Sequence, residues 1–161
     1  MWTMRAVGQR HGFPASGPVK FCRFSPDGRL VASSSCDRTI RLWDVARLKC
    51  LHVLKGHQRS VETVSFSPDS KQLASGGWDR RVILWEVQLR LSPQSGNNVR
   101  LLLGHRDSVQ SSDFSPTADS LVSLTPTLSV ATGMGLLDVA HACVFTPDGK
   151  LLVSGAADVT S

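Results

Sequence analysis

The stretch with the most obvious chemical potential lies between residues 56 and 86, where a histidine, a serine and an aspartate occur together. His57, Ser75 and Asp79 are the three residue types of a serine hydrolase. A hydrolase also needs an exposed nucleophile, and no Gly-x-Ser-x-Gly elbow surrounds Ser75. Together with Trp85 these side chains can instead form a hydrogen-bond chain, because an indole N–H only donates whereas a hydroxyl both donates and accepts.

No other group of residues in the sequence predicts a catalytic, metal or cofactor site. The His-Arg-Asp triplet at 105–107 is like a kinase catalytic loop, but Ser112 stands where the asparagine of that loop belongs. Cys50 and His52 lie near His57, yet four ligands at the spacing of a zinc site are missing. We therefore predict no enzyme activity, no cofactor and no metal.

The bulk composition is that of one ordinary globular domain. The chain has 161 residues, 41% of them hydrophobic, and no apolar run is long enough to span a membrane. The first twelve residues lack the apolar core of a secretory signal, so we expect a cytoplasmic or nuclear protein without membrane contact. The net charge of +5 allows a nucleic-acid-binding surface, although the Arg and Lys residues are scattered singly.

A repeated segment organises the chain. The motif Phe-Ser/Thr-Pro recurs at Phe24, Phe66, Phe114 and Phe145, and the stretches 18–45 and 60–87 match almost throughout. Within the second stretch, "VETVSF", "QLASGG" and "RVILW" predict three strands separated by turns, and "VRLLLGH" predicts a fourth. A single four-stranded sheet of this kind cannot cover both of its apolar faces, so it must stack on copies of itself.

The characteristic residues of these units resemble those of the WD-repeat β-propeller family. The resemblance rests on Gly56-His57, Asp79 and Trp85-Glu86, and on Asp37 and Trp43-Asp44 in the preceding unit. It covers 17–124 well and 136–158 in part. The fold class that it implies is all-β: an incomplete β-propeller with two full four-stranded antiparallel blades plus partial third and fourth blades.

The resemblance also implies roles for particular residues. The family pattern makes a buried structural hydrogen-bond network of His57, Ser75, Asp79 and Trp85, and of Ser33, Asp37 and Trp43 in the first unit, where Ala15 takes the histidine place. Binding positions exposed at the start of the first strand and before the turn aspartate would be Lys20, Glu62, Trp78 and Gln110. Trp78 can either serve as an exposed binding residue or pack on a neighbouring blade.

The repeat pattern breaks in the last third of the chain. We divide the sequence into a poorly ordered segment over 1–16, blades over 17–124, an irregular junction over 125–135, a partial repeat over 136–158 and a tail over 159–161. The spacing of only 31 residues between Phe114 and Phe145 suggests that an internal block has been removed. A propeller needs about four to eight blades, so an arc of this size should be marginally stable alone.

These observations predict a non-catalytic WD-repeat scaffold for protein–protein interaction, in a truncated form. Its partner would be an unidentified protein, and open blade faces could also support self-association. The alternatives are a basic nucleic-acid-binding surface, which the scattered charges disfavour, and a fragment with no independent function.

Overall fold

The structure is a computed structural model of the whole chain. It describes residues 17–87, 98–117, 121–124, 140–148 and 150–156. The predicted N-terminal segment 1–16, the junction 125–135 and the tail 159–161 lie outside the described residues, and so do Ala15, Thr127 and Asp158. These boundaries stay predictions.

Sheets one and two are the two complete units that the sequence predicts. In sheet one the strands pair antiparallel in chain order: β1 (Val19–Phe24), β2 (Leu30–Ser35), β3 (Thr39–Asp44) and β4 (Lys49–Lys55). Sheet two repeats this order with β5 (Val61–Phe66), β6 (Gln72–Gly77), β7 (Val82–Glu86) and β8 (Asn98–Leu102). The prediction of two four-stranded antiparallel sheets is confirmed.

Sheets three and four are two-stranded hairpins in the described part of the chain. Sheet three pairs β9 (Ser111–Phe114) with β10 (Leu121–Leu124), and sheet four pairs β11 (Ala140–Phe145) with β12 (Leu152–Ala156). The described residues contain no helix, and so none that is long and apolar enough to cross a membrane. The all-β prediction is confirmed.

The sheets stack through their first strands. β1 lies beside β5, β5 beside β9, and β9 beside β11, so these four strands form the inner row of the arc. Between sheets one and two, Leu30, Ile40 and Leu42 pack in one core with Phe66 and Trp85. Full burial of an aliphatic side chain contributes about 1.5–3 kcal/mol, so this interface is the largest apolar source of stability in the described arc.

The Ser-Pro-Asp turns are repeated because each is held by the same local hydrogen bonds. In the first, the Ser25 hydroxyl donates to the Asp27 carboxylate over 2.5 Å and accepts from the Leu30 backbone N–H over 2.9 Å. Gly28 in that turn has φ of 72°, in the left-handed region that favours glycine. Ser70 takes the same place in the second turn with φ of 60°. The recurring motif in the sequence is therefore a hairpin turn.

Antiparallel pairing brings the connections out at two opposite edges. The segments 36–38, 56–60, 78–81 and 103–110 emerge at one edge, which we call the upper edge. The segments 25–29, 45–48, 67–71, 115–117 and 146–148 emerge at the other, which we call the lower edge. All four predicted binding residues belong to the upper edge or to the strand ends beside it.

Candidate functional site

The predicted network of the second unit is a continuous hydrogen-bond chain. The indole N–H of Trp85, on β7, lies 2.8 Å from Oγ of Ser75 on β6. Ser75 Oγ is 2.7 Å from Nε2 of His57, in the connection between sheets one and two. His57 Nδ1 is 2.9 Å from the carboxylate of Asp79, in the turn before β7. Strand pairing positions the serine beside the tryptophan, and the chain connections bring in the other two side chains.

The direction of each hydrogen bond in this chain follows from Trp85, because its indole N–H can only donate. Because the Trp85 N–H donates, Ser75 Oγ accepts it and sends its own proton to His57 Nε2. The proton of the imidazole is then on Nδ1 and is donated to Asp79. This arrangement uses a neutral histidine, and burial lowers the pKa of His57 below its ordinary value although the Asp79 carboxylate opposes that shift. The contact between His57 and Asp79 is therefore a hydrogen bond that a neutral imidazole ring donates to the carboxylate.

The side chains of this hydrogen-bond chain are buried. Ser75 is 0% exposed and His57 7% exposed, so no substrate can reach the hydroxyl. The Asp79 carboxylate also accepts from the backbone N–H of Gln58 over 2.9 Å. The chain thereby fastens the connection at 56–60 to the turn at 78–81, which are the two segments that shape the upper edge of sheet two.

The glycine before the histidine has a packing reason. A Cβ atom on Gly56 would lie 2.8 Å from the Trp85 ring, which is closer than side-chain carbons approach in proteins. Gly104 holds the same place before His105, but a Cβ there would meet nothing within 4 Å. Gly104 is instead required by its backbone, because its φ of 145° is a conformation that residues with a side chain rarely adopt.

In the first unit the turn aspartate, Asp37, has different hydrogen-bonding partners from those of Asp79 in the second unit. Trp43 Nε1 donates to Ser33 Oγ over 2.9 Å, as predicted. The carboxylate of Asp37, whose side chain is 5% exposed, accepts from Thr39 over 2.6 Å and lies 3.5 Å from Arg41. Strand pairing sets Arg41 opposite Ser33, where the second unit has Ile83 opposite Ser75. Arg41 thus takes the place of the missing histidine as a partner of the turn aspartate Asp37. The sequence did not predict this role.

The third unit retains one link of the network in its described part. Nε2 of His105 lies 2.6 Å from Oγ of Ser123 on β10. Burial lowers the pKa of His105, as it does for His57. The residues expected to follow in the chain of hydrogen bonds fall outside the described residues.

A second polar cluster, which sequence reasoning missed, lies on the inner row of strands. The carboxylate of Asp113 on β9 is 2.8 Å from the guanidinium of Arg23 on β1 and accepts from Ser65 Oγ on β5 over 3.0 Å. Its other oxygen accepts from the backbone N–H of Phe145 on β11 over 3.1 Å. One carboxylate therefore joins all four sheets. Its side chain is 7% exposed, so these partners offset the loss of hydration.

A signal for this cluster was present in the repeat. Arg23, Ser65, Asp113 and Val144 each stand immediately before the phenylalanine of the turn motif, so they are equivalent positions of the four units. Equivalent inner-strand positions converge when sheets stack around one axis. A basic residue in one unit and an acidic residue in another at that position would have predicted the ion pair. The phenylalanines of the same four turns and the prolines of the first three line a cavity together with Arg23 and Asp113.

The predicted binding residues surround the upper edge, and two of them are in contact. Lys20 Nζ lies 3.5 Å from the Glu62 carboxylate, an ion pair between sheets one and two. Trp78 is 51% exposed, so it presents much of its ring to solvent. The Gln110 side chain donates to Ser108 Oγ over 3.0 Å, within the connection that leads to sheet three.

The repeated network and the stacked sheets agree with a comparison of the sequence against known families. Residues 7–44 and 48–86 match the family model described as "WD domain, G-beta repeat". These units are WD repeats. The matched residues include strands β1 to β7 of the two complete sheets and the networks around Trp43 and Trp85.

Related proteins share the WD repeats over different lengths. The nuclear distribution protein PAC1 of Coccidioides posadasii is 31% identical over 176 aligned residues, which cover 98% of this chain and 37% of that protein. The general transcriptional corepressor TUP1 of Saccharomyces cerevisiae is 42% identical over 38 residues, or 24% of this chain and 5% of that protein. The WD-repeat chain thus spans well under half the length of these relatives.

A solved structure shows the same arrangement of WD-repeat sheets. The crystal structure of the RRP9 WD40 repeats superposes with a TM-score of 0.69 at 25% sequence identity. The match covers 81% of this chain and 42% of that one. The predicted incomplete β-propeller is therefore confirmed: the stacked sheets are an arc of a WD-repeat propeller.

The shared carboxylate of Asp113 predicts strong coupling between WD-repeat sheets one and three. In a double-mutant cycle, Arg23→Ala and Asp113→Ala should show a coupling energy of about 1–3 kcal/mol in urea denaturation. The exposed pair Arg29 and Asp27, 3.9 Å apart on the lower edge, is the matched control and should couple by less than about 0.5 kcal/mol. Equal coupling in the two pairs would show that the inner cluster does not hold the arc together.

The neutral form of His57 predicts a loss of stability in mild acid. Because its folded pKa lies below the unfolded value of about 6.5, the unfolded state binds more protons as the pH falls. The stabilising contribution is complete above about pH 7 and declines as the pH falls below about 6.5. Melting temperatures measured from about pH 7.5 to 5 should decrease, and His57→Gln should reduce the slope. A flat profile in the unmodified protein contradicts the assignment.

Proposed function

We propose that this protein is a non-catalytic WD-repeat scaffold for protein–protein interaction and that its upper edge is the contact surface. Lys20, Glu62, Trp78 and Gln110 would take part in binding. The observation that carries the proposal is Trp78, a large aromatic side chain that is half exposed on a turn fixed on both sides. Exposed aromatic residues of this kind supply much of the energy of protein interfaces.

The turn that carries Trp78 is held rigidly by the backbone. The Trp78 N–H donates to the Ser60 carbonyl over 2.9 Å, and the Gly77 carbonyl accepts from the Val109 N–H over 3.0 Å. A Cβ atom on Gly77 would collide with the Ser60 carbonyl oxygen, so glycine is required for this close approach. A preorganised side chain loses little conformational entropy on binding, which favours its use as an anchor.

A non-catalytic role fits the chemistry of the network below that turn. Ser75, His57 and Asp79 resemble a catalytic triad, but they form hydrogen bonds with one another and with the backbone. Their function in the proposal is to fix the upper edge, so that the exposed residues keep one geometry for a partner.

We also propose that the protein associates with itself through its terminal sheets. Phe21 is 44% exposed and Phe24 is 64% exposed on sheet one, while Val144 and Val153 on sheet four are 48% and 54% exposed. In an arc of propeller blades the first and last sheets have no neighbour on one side, which leaves apolar surface to be covered.

The proposal also concerns which WD-repeat protein the chain resembles and where in the cell it acts. The sequence of residues 17–70 resembles WD repeat-containing protein 38, and the interrupted repeat near 125–136 supports a truncated form of such a protein. The names of two relatives, a nuclear distribution protein and a transcriptional corepressor, support a cytoplasmic or nuclear location.

The interaction role predicts that Trp78→Ala separates binding from folding. Because the side chain is half exposed, its removal should change the free energy of unfolding by no more than about 1 kcal/mol. Proteins captured by cross-linking in a cell extract should be lost from the Trp78→Ala variant. Leu48→Ala, an exposed apolar residue on the lower edge, is the matched control and should retain them. Identical capture by both variants would remove the upper edge from the proposal.

Self-association predicts a mass that rises with concentration in light scattering of the purified chain. Replacing one residue of each terminal sheet by a charged one, as in Phe21→Glu with Val153→Glu, should lower that mass towards a single chain. A single-chain mass at every concentration for the unmodified protein would rule out self-association.

A further inference from the structure

The exposed charges of the upper edge are mostly positive. Arg38, Arg59, Arg80 and Arg106 are all exposed, and they come from the turn of sheet one, the connection into sheet two, the turn of sheet two and the connection into sheet three. Among the described residues none of the four takes part in an ion pair. They therefore stand in water around the rigid turn that carries Trp78.

The carboxylates of the same edge are turned into the structure. The side chains of Asp37 and Asp79 are 5% and 2% exposed and are held by hydrogen bonds within their turns. Glu62 is 12% exposed and is bound by Lys20 and by the Ser60 hydroxyl. The fourth carboxylate of the edge, Asp107, is half-buried and accepts from the backbone N–H of Ser108. Much of the negative charge of the edge is thus used internally, and a partner would first meet the four exposed guanidinium groups.

The lower edge lacks this asymmetry, because its turns expose carboxylates beside the basic residues. Asp27 is 37% exposed and lies 3.9 Å from Arg29. Asp69 is exposed beside Lys71, and Asp148 lies two residues before Lys150 in an exposed turn. The two edges are built from the same repeat, but the upper edge presents mainly positive charge whereas the lower edge presents charges of both signs.

The positions of two arginines repeat between units. Arg38 and Arg80 each follow the buried turn aspartate and adopt the left-handed backbone conformation, with φ of 71° and 64°. Trp78 lies two residues before Arg80 in the same turn. A cationic and an aromatic group therefore project from one fixed segment, which suits a ligand with both acidic and apolar groups.

We propose that the upper edge binds an acidic segment of a partner protein, rich in Asp and Glu and carrying an apolar side chain for Trp78. This inference rests on the proposed scaffold function and specifies its partner. Guanidinium groups pair with carboxylates in a planar, two-pronged geometry, and an edge whose exposed charges are mainly positive steers a negatively charged chain towards it.

A protein segment fits this edge better than a nucleic acid does. Nonspecific binding of single-stranded nucleic acid uses successive aromatic side chains on which bases stack. Among the described residues of the upper edge, Trp78 is the one exposed aromatic residue.

The test is fluorescence anisotropy with the full chain and a labelled peptide of about fifteen residues that repeats Asp-Glu-Leu. Arg38→Glu with Arg80→Glu should weaken binding at least about tenfold. Lys49→Glu with Lys71→Glu makes the same change in net charge at or beside the lower edge and should leave the affinity within about twofold. Raising the salt from about 50 to 300 mM should weaken binding of the unmodified protein several-fold.

A second pair of variants guards against misfolding. Arg38→Gln with Arg80→Gln removes the charge without adding a carboxylate beside Asp37 and Asp79, and it should weaken binding in the same direction. The inference is overturned if the peptide does not bind, or if the upper-edge and lower-edge variants lose affinity equally. It is also overturned if an oligo-dT of about fifteen nucleotides binds more tightly than the peptide through the same arginines.

The two proposals fail in distinguishable ways. If Trp78→Ala loses captured proteins while the arginine variants keep them, the upper edge is an interaction surface but its partner is not acidic. If Trp78→Ala loses none of them, the upper edge is not the contact surface of the scaffold.

Discussion

Both faces of every complete sheet need cover, and the stack of sheets follows from that constraint. Leu73, Ala74 and Ser75 are consecutive residues of β6, and each is 0% exposed. Because neighbouring residues of a strand point to opposite faces, this strand is buried on both sides. A sheet without a helix beside it can achieve this only by lying between two other sheets. Sheet two, between sheets one and three, therefore has the most complete environment in the arc.

Hydrogen bonds between buried polar residues hold the stacked sheets in one arrangement. A buried donor or acceptor without a partner costs about 1–3 kcal/mol, so each network specifies one arrangement. The chain from Trp85 to Asp79 fixes the upper edge of one sheet. The carboxylate of Asp113 fixes the relation between sheets, since its partners belong to β1, β5 and β11. Local and long-range order thus depend on different polar clusters. The chain from Trp85 to Asp79 keeps the upper edge rigid, and the Asp113 cluster sets the position of that edge in the arc.

Most of the local structure could be predicted from the sequence, whereas the contacts between units could not. The strands were predictable because they repeat within about forty residues and follow alternation and turn chemistry. The network around Trp85 was implied by the resemblance to the WD-repeat family. The pairing of Arg23 with Asp113 depends on how units far apart in sequence meet at the axis. Arg41 was missed for a related reason, because its role appears only when strand register places it opposite Ser33. The outward positive charge of the upper edge likewise depends on which carboxylates are buried.

The central claim is that a neighbour on each face stabilises a sheet, and native-state hydrogen exchange tests it most directly. Amide protons of β6 and β7 should exchange most slowly, near the rate set by global unfolding, because sheet two has a sheet on each side. Those of β11 and β12, in the last described sheet, should exchange much faster through local opening. Equal protection in sheets two and four, or greater protection in sheet four, would contradict the claim that stacking holds this fold together.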